Sequence, residues 1–233
     1  MARTAIVQRQ NLQIHSQNGA NAAWLKFGLH ATTPVVSNDA VGPDGTTTAD
    51  RIVENNAANF HILYRNTGVA LPVGVYTSSA SLKEGTRRYG GVQILLGSAL
   101  LRYFVLLDLR TGAVVSTSTT GAITQTSYSV ESEGNGWYRL SVTAYNPDPS
   151  TVYCCVAPSN SASPTYSASF PFYTGDNTSG IYSTDYQTVM ANWGGPKVTT
   201  TTTAVNTGNI RNLAGARSTA AARSTAATRS VAP

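Results

Sequence analysis

The sequence predicts an all-β protein, an antiparallel β-sandwich of jelly-roll type with an extended N-terminal arm and an irregular C-terminal tail. Three observations predict it. Apolar and polar residues alternate with a period of two in several segments, turn-forming residues separate those segments at short intervals, and no long amphipathic helical pattern occurs. The 233 residues are enough to bury a core without disulfides or metals, and an all-β domain often reaches this length as one unit.

The strand candidates follow from the alternation. Residues 60–65, 138–145 and 152–156 alternate, which indicates strands with one buried face. Residues 102–109 are largely apolar on both faces of the predicted strand and are bounded by turn-forming residues, which is typical of a central strand in a sandwich. Turn motifs punctuate the chain at residues 42–45, 110–112, 133–136, 146–149 and 175–177, with one further short turn near 22–24.

The formal net charge of +5 belongs to the end of the chain. All 11 acidic residues lie at or before Asp185, whereas 5 of the 16 basic residues lie after it: Lys197, Arg211, Arg217, Arg223 and Arg229. Residues 1–195 therefore carry 11 basic and 11 acidic side chains and are neutral. A neutral body argues against nucleic-acid binding by the folded domain.

Composition divides the chain into an arm (residues 1–10), a folded domain (11–195) and a basic low-complexity tail (196–233). The tail contains a Thr run at 199–203 and repeats Ala-Arg-Ser-Thr-Ala-Ala from residue 216 and again from residue 222. Because it lacks bulky apolar residues, the tail cannot form a core of its own. It is either disordered or docked along a partner subunit, and Lys197, Arg211, Arg217, Arg223 and Arg229 are the candidate docking residues.

Two adjacent cysteines, Cys154 and Cys155, are the only ones in the chain. Adjacent strand residues point to opposite faces, which predicts two free thiols, one in the core and one outside, and no vicinal disulfide. The first ten residues lack the apolar segment of a signal peptide, and no apolar run approaches the roughly 18 residues of a membrane helix. We therefore expect no export signal and no membrane association.

Catalytic patterns are weak. The three histidines, His15, His30 and His61, stand in no catalytic motif, and the sequence has no Gly-x-Ser-x-Gly. Glu131 and Glu133 offer a carboxylate pair of the type that glycosidases use, but they flank a turn, where solvated charge is the simpler interpretation. No phosphate-binding loop occurs, so we expect neither an enzyme nor a cofactor.

Metal-ligand patterns are equally weak. The cysteines and histidines have no ligand spacing. Asp44 and Asp50 offer oxygen ligands for a structural Ca²⁺, although aspartates in such positions more often stabilise turns. No metal site is therefore predicted.

Sugar binding requires exposed aromatic rings and polar side chains on one face. Trp24 and Trp137 are expected in the core, because they lie within structural motifs. Arg88, Tyr89 and Gln93 are expected on one face of a predicted sheet, with His61 nearby. Tyr64 and Tyr103 are aromatic residues outside the structural motifs and are therefore further candidates. The candidate glycan-binding residues are His61, Tyr64, Arg88, Tyr89, Gln93 and Tyr103.

Seven motifs occur in a set order between residues 11 and 190. They are Asn-Leu at 11–12, Asn-Ala-Ala-Trp at 21–24, the segments 40–50 and 75–85, Asp-Leu-Arg-Thr-Gly at 108–112, Glu-Gly-Asn-Gly-Trp-Tyr-Arg at 133–139, and the segment 173–182. The series resembles the carbohydrate-binding-like jelly-roll domain of virion proteins from tailed bacteriophages. The chain departs from that family after Tyr182, where family members continue with a Trp-Gly-Ala-Gln-Leu-Glu-like strand.

The resemblance implies a non-enzymatic structural virion protein, made in the host cytoplasm and displayed on the particle exterior. Such a protein serves as a tail-fibre or adhesin component or as a head decoration protein. Its implied partners are other virion proteins, a host-surface glycan and further copies of itself, with a trimer the common arrangement. The alternative is a free carbohydrate-binding module associated with a polysaccharide-degrading system.

Overall fold

A computed structural model describes residues 10–97 and 100–190 and the short strand Val205–Asn206. These residues form strands, turns and bends without a helix, so this part of the chain has no helix that would cross a membrane. The strands are β1 (Gln10–Asn11), β2 (Leu25–Phe27), β3 (Val35–Ala40), β4 (Ala49–Val53), β5 (Ala58–Asn59), β6 (Ile62–Asn66), β7 (Gly74–Lys83), β8 (Tyr89–Leu96), β9 (Leu101–Asp108), β10 (Ala113–Thr120), β11 (Ser127–Gly134), β12 (Trp137–Asn146), β13 (Val152–Ser159), β14 (Tyr166–Ser167), β15 (Phe170–Pro171), β16 (Tyr173–Thr174), β17 (Gly180–Val189) and β18 (Val205–Asn206).

Two six-stranded antiparallel sheets make up the body of the protein. The first sheet has the strand order β10-β9-β8-β13-β6-β2, and the second has the order β11-β12-β7-β17-β4-β3. Every pairing within them is antiparallel. The predicted all-β, antiparallel architecture is confirmed.

The two sheets share one apolar core between their inner faces. The first sheet contributes alternate residues such as Val92, Val105 and Val156, and the second contributes residues such as Leu82 and Leu140. Burial of these aliphatic side chains is the main favourable term in folding, at about 25 cal/mol per Å² of apolar surface removed from water. The alternation in the sequence therefore marks the contact between the two sheets.

Both tryptophans that were expected in the core are there. Trp24 and Trp137 are fully buried, and Trp24 packs on Tyr186 with ring centroids 4.3 Å apart. Each indole N–H donates to a backbone carbonyl, that of His15 for Trp24 and that of Val41 for Trp137. These hydrogen bonds satisfy the buried polar end of each ring.

The cysteine prediction is half right. Cys154 and Cys155 are both free and point to opposite faces of β13, as expected. However, the prediction that one thiol lies outside is wrong, because Cys155 is also buried, in a second apolar cluster on the outer face of the first sheet. Burial raises the pKa of Cys154 to about 12 and that of Cys155 well above its usual range, so both thiols stay protonated at neutral pH.

The two aspartates considered for Ca²⁺ serve the fold. Asp50 is buried and accepts backbone N–H bonds from Gly19 at 2.6 Å and Asn38 at 3.1 Å. Asp44 lies in the turn after β3 and accepts the N–H and hydroxyl of Thr46. Within the described residues, no group of three or more histidine, cysteine or acidic side chains is arranged to hold a metal ion.

The arm and the tail fall almost wholly outside the described residues. The exception is one short pairing, in which β1 lies antiparallel to β18 with Gln10 opposite Asn206. The five candidate docking residues of the tail, Lys197, Arg211, Arg217, Arg223 and Arg229, also lie outside them, and their role stays a prediction.

Candidate functional site

The candidate site lies on the outer face of the first sheet, where strand register brings distant residues into two rows. In one row Tyr64 of β6 stands opposite Cys155 of β13, which in turn stands opposite Gln93 of β8. In the next row Tyr153 stands opposite Leu95, and Leu95 opposite Arg102 of β9. Side chains of one parity on neighbouring strands share a face. The outer face of this sheet is therefore apolar and aromatic, unlike a solvated sheet surface.

A two-stranded hairpin, β14 and β15, covers part of this face. Its two turn residues, Ala168 and Ser169, have φ of 49° and 59°, which is the left-handed conformation of a tight hairpin turn. Gln93 donates its side-chain amide to the carbonyls of Ala168 and Ser169, at 3.4 and 3.3 Å. The hydroxyls of Thr120 and Ser169 form another hydrogen bond. The sheet thus holds the hairpin over the rows.

Between the sheet and the hairpin lies a cavity of about 210 Å³ that is partly open to solvent. Pockets for drug-sized ligands measure roughly 300–1,000 Å³, so this cavity suits one small ring. Its lining comprises Phe60, Ile62, Tyr64, Leu95, Gly97, Leu100, Arg102, Tyr153, Cys155, Ala168 and Phe170.

Aromatic rings dominate the walls of the cavity. The centroids of Tyr64 and Tyr153 are 6.4 Å apart, and Phe60 stacks on Phe170 at 5.7 Å. Outside the cavity Phe27 stacks on Phe60 at 4.8 Å and remains 43 % exposed. Leu25, on the same edge strand and opposite Tyr64, is 49 % exposed. The cavity therefore opens beside an exposed apolar patch, the kind of surface that marks binding sites.

Arg102 supplies the positive charge of the cavity. Its Nε is buried and has no hydrogen-bond partner among the described residues. The phenol of Tyr64 is only partly buried, and its pKa is raised chiefly by burial. At neutral pH the lining thus presents aromatic faces, two phenol hydroxyls, a neutral thiol and one guanidinium.

The structure separates the six predicted glycan-binding residues. Tyr64 lines the cavity, and Gln93 lies beneath the covering hairpin, where it is fully buried. Tyr103 points into the core between the sheets, because it has the opposite parity to Arg102 on β9. Neither Gln93 nor Tyr103 presents a surface to a sugar ring.

His61 is likewise fully buried, at the end of the molecule near β16. Its Nδ1 contacts the carbonyl of Gly28, and its Nε2 lies 3.3 Å from the carbonyl of Tyr173. The ring of Tyr173 packs against the imidazole at 4.6 Å. The histidine thus connects its own segment to the backbone at Gly28 and at Tyr173, and it is not among the residues that line the cavity.

Arg88 and Tyr89 lie together at the N-terminal end of β8, which begins at Tyr89. Arg88 is engaged by Asp108, with Nε to Oδ1 at 2.9 Å and a second bond from Nη2 to Oδ2 at 2.5 Å. Its guanidinium also lies over the ring of Tyr89, 5.4 Å from the centroid. Asp108 thus occupies the guanidinium edge that would otherwise recognise a ligand.

Sequence reasoning missed Tyr153, Arg102 and Phe60. Tyr153 alternates with Val152 and Cys154, and that pattern alone predicts one buried face and one solvated face. The signal that could have revealed the covered outer face lies in β9 and β13, where odd-numbered and even-numbered residues are both largely apolar. A sheet that is apolar on both faces must be covered on both sides. Only the fold reveals which residues form that cover.

No protein-family model matches the sequence, and a search of curated proteins gives no match.

Proposed function

We propose that this chain is a non-enzymatic binding module that holds a sugar ring in the aromatic cavity of the first sheet. The observation that carries the proposal is the pairing of Tyr64 and Tyr153 at the wall of a preformed cavity that also contains a guanidinium. Binding sites for small ligands are typically preformed, largely apolar hollows with a few polar groups that set orientation.

A sugar ring fits this lining because its two faces are chemically different from its rim. Its axial C–H groups pack on aromatic faces, because the weakly positive hydrogens are attracted to the negative face of the ring. Its hydroxyls need donors and acceptors, and the phenols of Tyr64 and Tyr153 and the guanidinium of Arg102 supply them. The volume of about 210 Å³ suits a single residue at the end of a glycan or on a side branch.

We further propose that the module is a structural part of a tailed-phage particle, displayed on its exterior as a fibre, adhesin or head decoration component. The motif series resembles virion jelly rolls, and the chain passes between the two sheets several times, for example from β6 to β7 and from β12 to β13, which favours that topology. A neutral body with a basic tail is suited to docking on a neighbouring subunit of the particle.

A free carbohydrate-binding module of a polysaccharide-degrading system uses the same cavity. The two functions differ in what the tail contacts. A particle component co-purifies with virions, and its tail arginines are protected from proteolysis there. A free module is absent from purified particles and binds the polysaccharide alone.

The binding proposal is tested with a glycan array followed by calorimetry on the best glycan. We expect Tyr64→Ala and Tyr153→Ala to lose at least about tenfold in affinity, because each removes one wall of the cavity. Tyr128→Ala is the matched control, since Tyr128 is 48 % exposed on β11 of the other sheet. A blank array, or a double variant that binds as the wild type does, contradicts the proposal.

A further inference from the structure

The cavity contains a positive charge without a matching negative one. Of its lining residues, Arg102 alone carries a formal charge at neutral pH, and none is a carboxylate. Across the ladder Arg102 stands opposite Leu95 on one side and Thr120 on the other, and neither is acidic. Of the six other arginines in the described part of the chain, four pair with a carboxylate, namely Arg51, Arg87, Arg88 and Arg110. Arg65 and Arg139 form no salt bridge with the described residues, but neither lines the cavity.

The donor groups of Arg102 also have no acceptor in the part of the chain that the structure describes. Its Nε is buried without a hydrogen bond, and within the described residues the guanidinium forms no ion pair. Leaving a buried donor of a charged group without an acceptor is unfavourable, and a ligand oxygen at that position removes the penalty. A carboxylate is the best match, because its two oxygens fit the planar fork of a guanidinium.

Neighbouring groups leave the charge of Arg102 unneutralised. The thiol of Cys155 shares the cavity, and its proximity to Arg102 acts to lower its pKa, but burial is the larger effect and the pKa of Cys155 is raised. The thiol is therefore neutral at pH 7. A ligand anion would meet an uncompensated cation in surroundings with a low effective dielectric, where such an interaction is stronger than in bulk water.

We propose that the cavity selects an acidic sugar, one whose ring packs against Tyr64 and Tyr153 while its anionic group pairs with Arg102. The inference rests on the proposed function and narrows its ligand from glycans in general to those that carry a carboxylate or a sulfate. Selectivity for the acid over its neutral parent arises at Arg102, whereas the aromatic walls bind both.

The experiment uses matched sugars that differ at one carbon. Methyl glucuronide and methyl glucoside form the first pair, and the corresponding galacto and manno sugars form two more pairs. For each of the three configurations, the 6-sulfated methyl glycoside is the third compound. Binding to the full chain is measured by calorimetry or by ligand-observed NMR. We expect the acid of at least one pair to bind about tenfold or more tightly than its neutral parent, with the preference falling as salt is raised. The sulfate arm identifies which anionic group is preferred.

Arg102→Met keeps the apolar stem and removes the charge, and Arg102→Lys retains a charge without the fork. We expect Arg102→Met to abolish the preference for the acid and Arg102→Lys to keep part of it. In Arg102→Met the neutral sugar should lose less affinity than the acid, because it loses only the hydrogen bonds from the guanidinium to its hydroxyls. Arg110→Met, at an exposed arginine outside the cavity, is the control. Circular dichroism shows that each variant is folded before binding is measured.

The outcomes separate the two proposals. If neutral and acidic sugars bind equally and Tyr64→Ala abolishes both, the sugar site stands and the acidic preference is overturned. If the acid is preferred but Arg102→Met leaves the preference intact, the role of Arg102 is overturned. If no sugar of any pair or of the array binds, both proposals are overturned.

Discussion

The side-chain amide of Gln93 donates to the backbone carbonyl of Ser169 at 3.3 Å and so links the middle of the first sheet to the hairpin above it. A second contact reaches the carbonyl of Ala168 at 3.4 Å. Gln93 was predicted as a sugar ligand, and its position on the outer face of β8 agrees with the alternation. Its amide, however, binds the backbone of the β14–β15 hairpin and so holds that hairpin in place over the cavity.

Gln93→Ala is therefore expected to destabilise the fold and open the cavity. The carbonyl of Ser169, which is buried, and the partly buried carbonyl of Ala168 lose their side-chain donor, which costs about 1–3 kcal/mol of unfolding free energy. Urea denaturation measures the loss, and limited proteolysis detects loosening of residues 166–171. Gln125→Ala, at an exposed position, serves as the control and should leave both readouts unchanged. Equal stability of Gln93→Ala and the wild type would refute the anchoring role.

The turn of the same hairpin carries backbone strain. Ala168 has φ of 49°, a conformation that L-residues other than glycine, asparagine and aspartate adopt at a penalty of about 1–2 kcal/mol. We expect Ala168→Gly to raise the unfolding free energy by about 1 kcal/mol. The same substitution at Ala113, an exposed strand residue of β10, should lower it by about 0.5–1 kcal/mol. Thermal and urea unfolding of the two variants test the opposite signs, and a loss at both sites would exclude the strain.

Much of the fold is predictable from sequence because its determinants are local. Period-two alternation identified β12 and β13, and Gly-rich signals identified the turn at Asn135 and Gly136, both of which have positive φ. The expectation for residues 102–109 also agrees with β9, which lies between β8 and β10 in the first sheet. Such patterns report on residues that are near one another in the chain.

The cavity is harder to predict because its parts come together only through strand pairing. Tyr64, Tyr153 and Arg102 come from three strands, and sequence alternation assigns each to a face without identifying its neighbours. The parity of β9 was also undetermined, since both of its faces are apolar. As a consequence Tyr103 was placed in the site, whereas Arg102, one residue earlier, is the side chain that lines it.

Asp108 should contribute to the acid limb of the stability curve. Its pKa is lowered, first by the hydrogen bond from Arg88 and further by the backbone N–H of Arg110, even though burial acts in the opposite direction. A carboxyl whose pKa is lower in the folded state stabilises the protein at pH values above its pKa in the unfolded state, which is about 4. That contribution is lost as the pH falls through the pKa of the folded state. We expect Asp108→Asn to be less stable than the wild type at pH 7, and the difference in unfolding free energy to shrink as the pH falls below about 4.

Urea unfolding at a series of pH values measures this convergence. Asp148→Asn is the matched control, because Asp148 lies exposed in the turn before β13. Parallel curves for Asp108→Asn and the wild type down to pH 2 would contradict the coupling between Asp108 and Arg88.

The most costly single charge removal is expected at Glu54. Its carboxylate is fully buried, where it accepts two hydrogen bonds from Arg87, the hydroxyl of Tyr173 at 2.6 Å and the N–H of Asp176 at 3.0 Å. Glu54→Gln leaves Arg87 partly buried with only Asp176 as a counter-charge, at 3.2 Å. Breaking one side of a buried pair costs about 3–5 kcal/mol, and we expect the lower end, because the side chain of Arg87 is 20 % exposed.

Glu84→Gln provides the matched comparison for that variant. Glu84 pairs with Arg110 at 2.8 Å on the surface, where an ion pair contributes less than about 1 kcal/mol. Equilibrium unfolding in urea should therefore separate the two variants by about 2 kcal/mol or more. Since Glu54 joins β4 to the segment that carries β16, the loss in Glu54→Gln should appear in hydrogen exchange as earlier opening of residues 173–180. Equal unfolding free energies for the two variants would contradict a net stabilising role for the buried pair of Glu54 and Arg87.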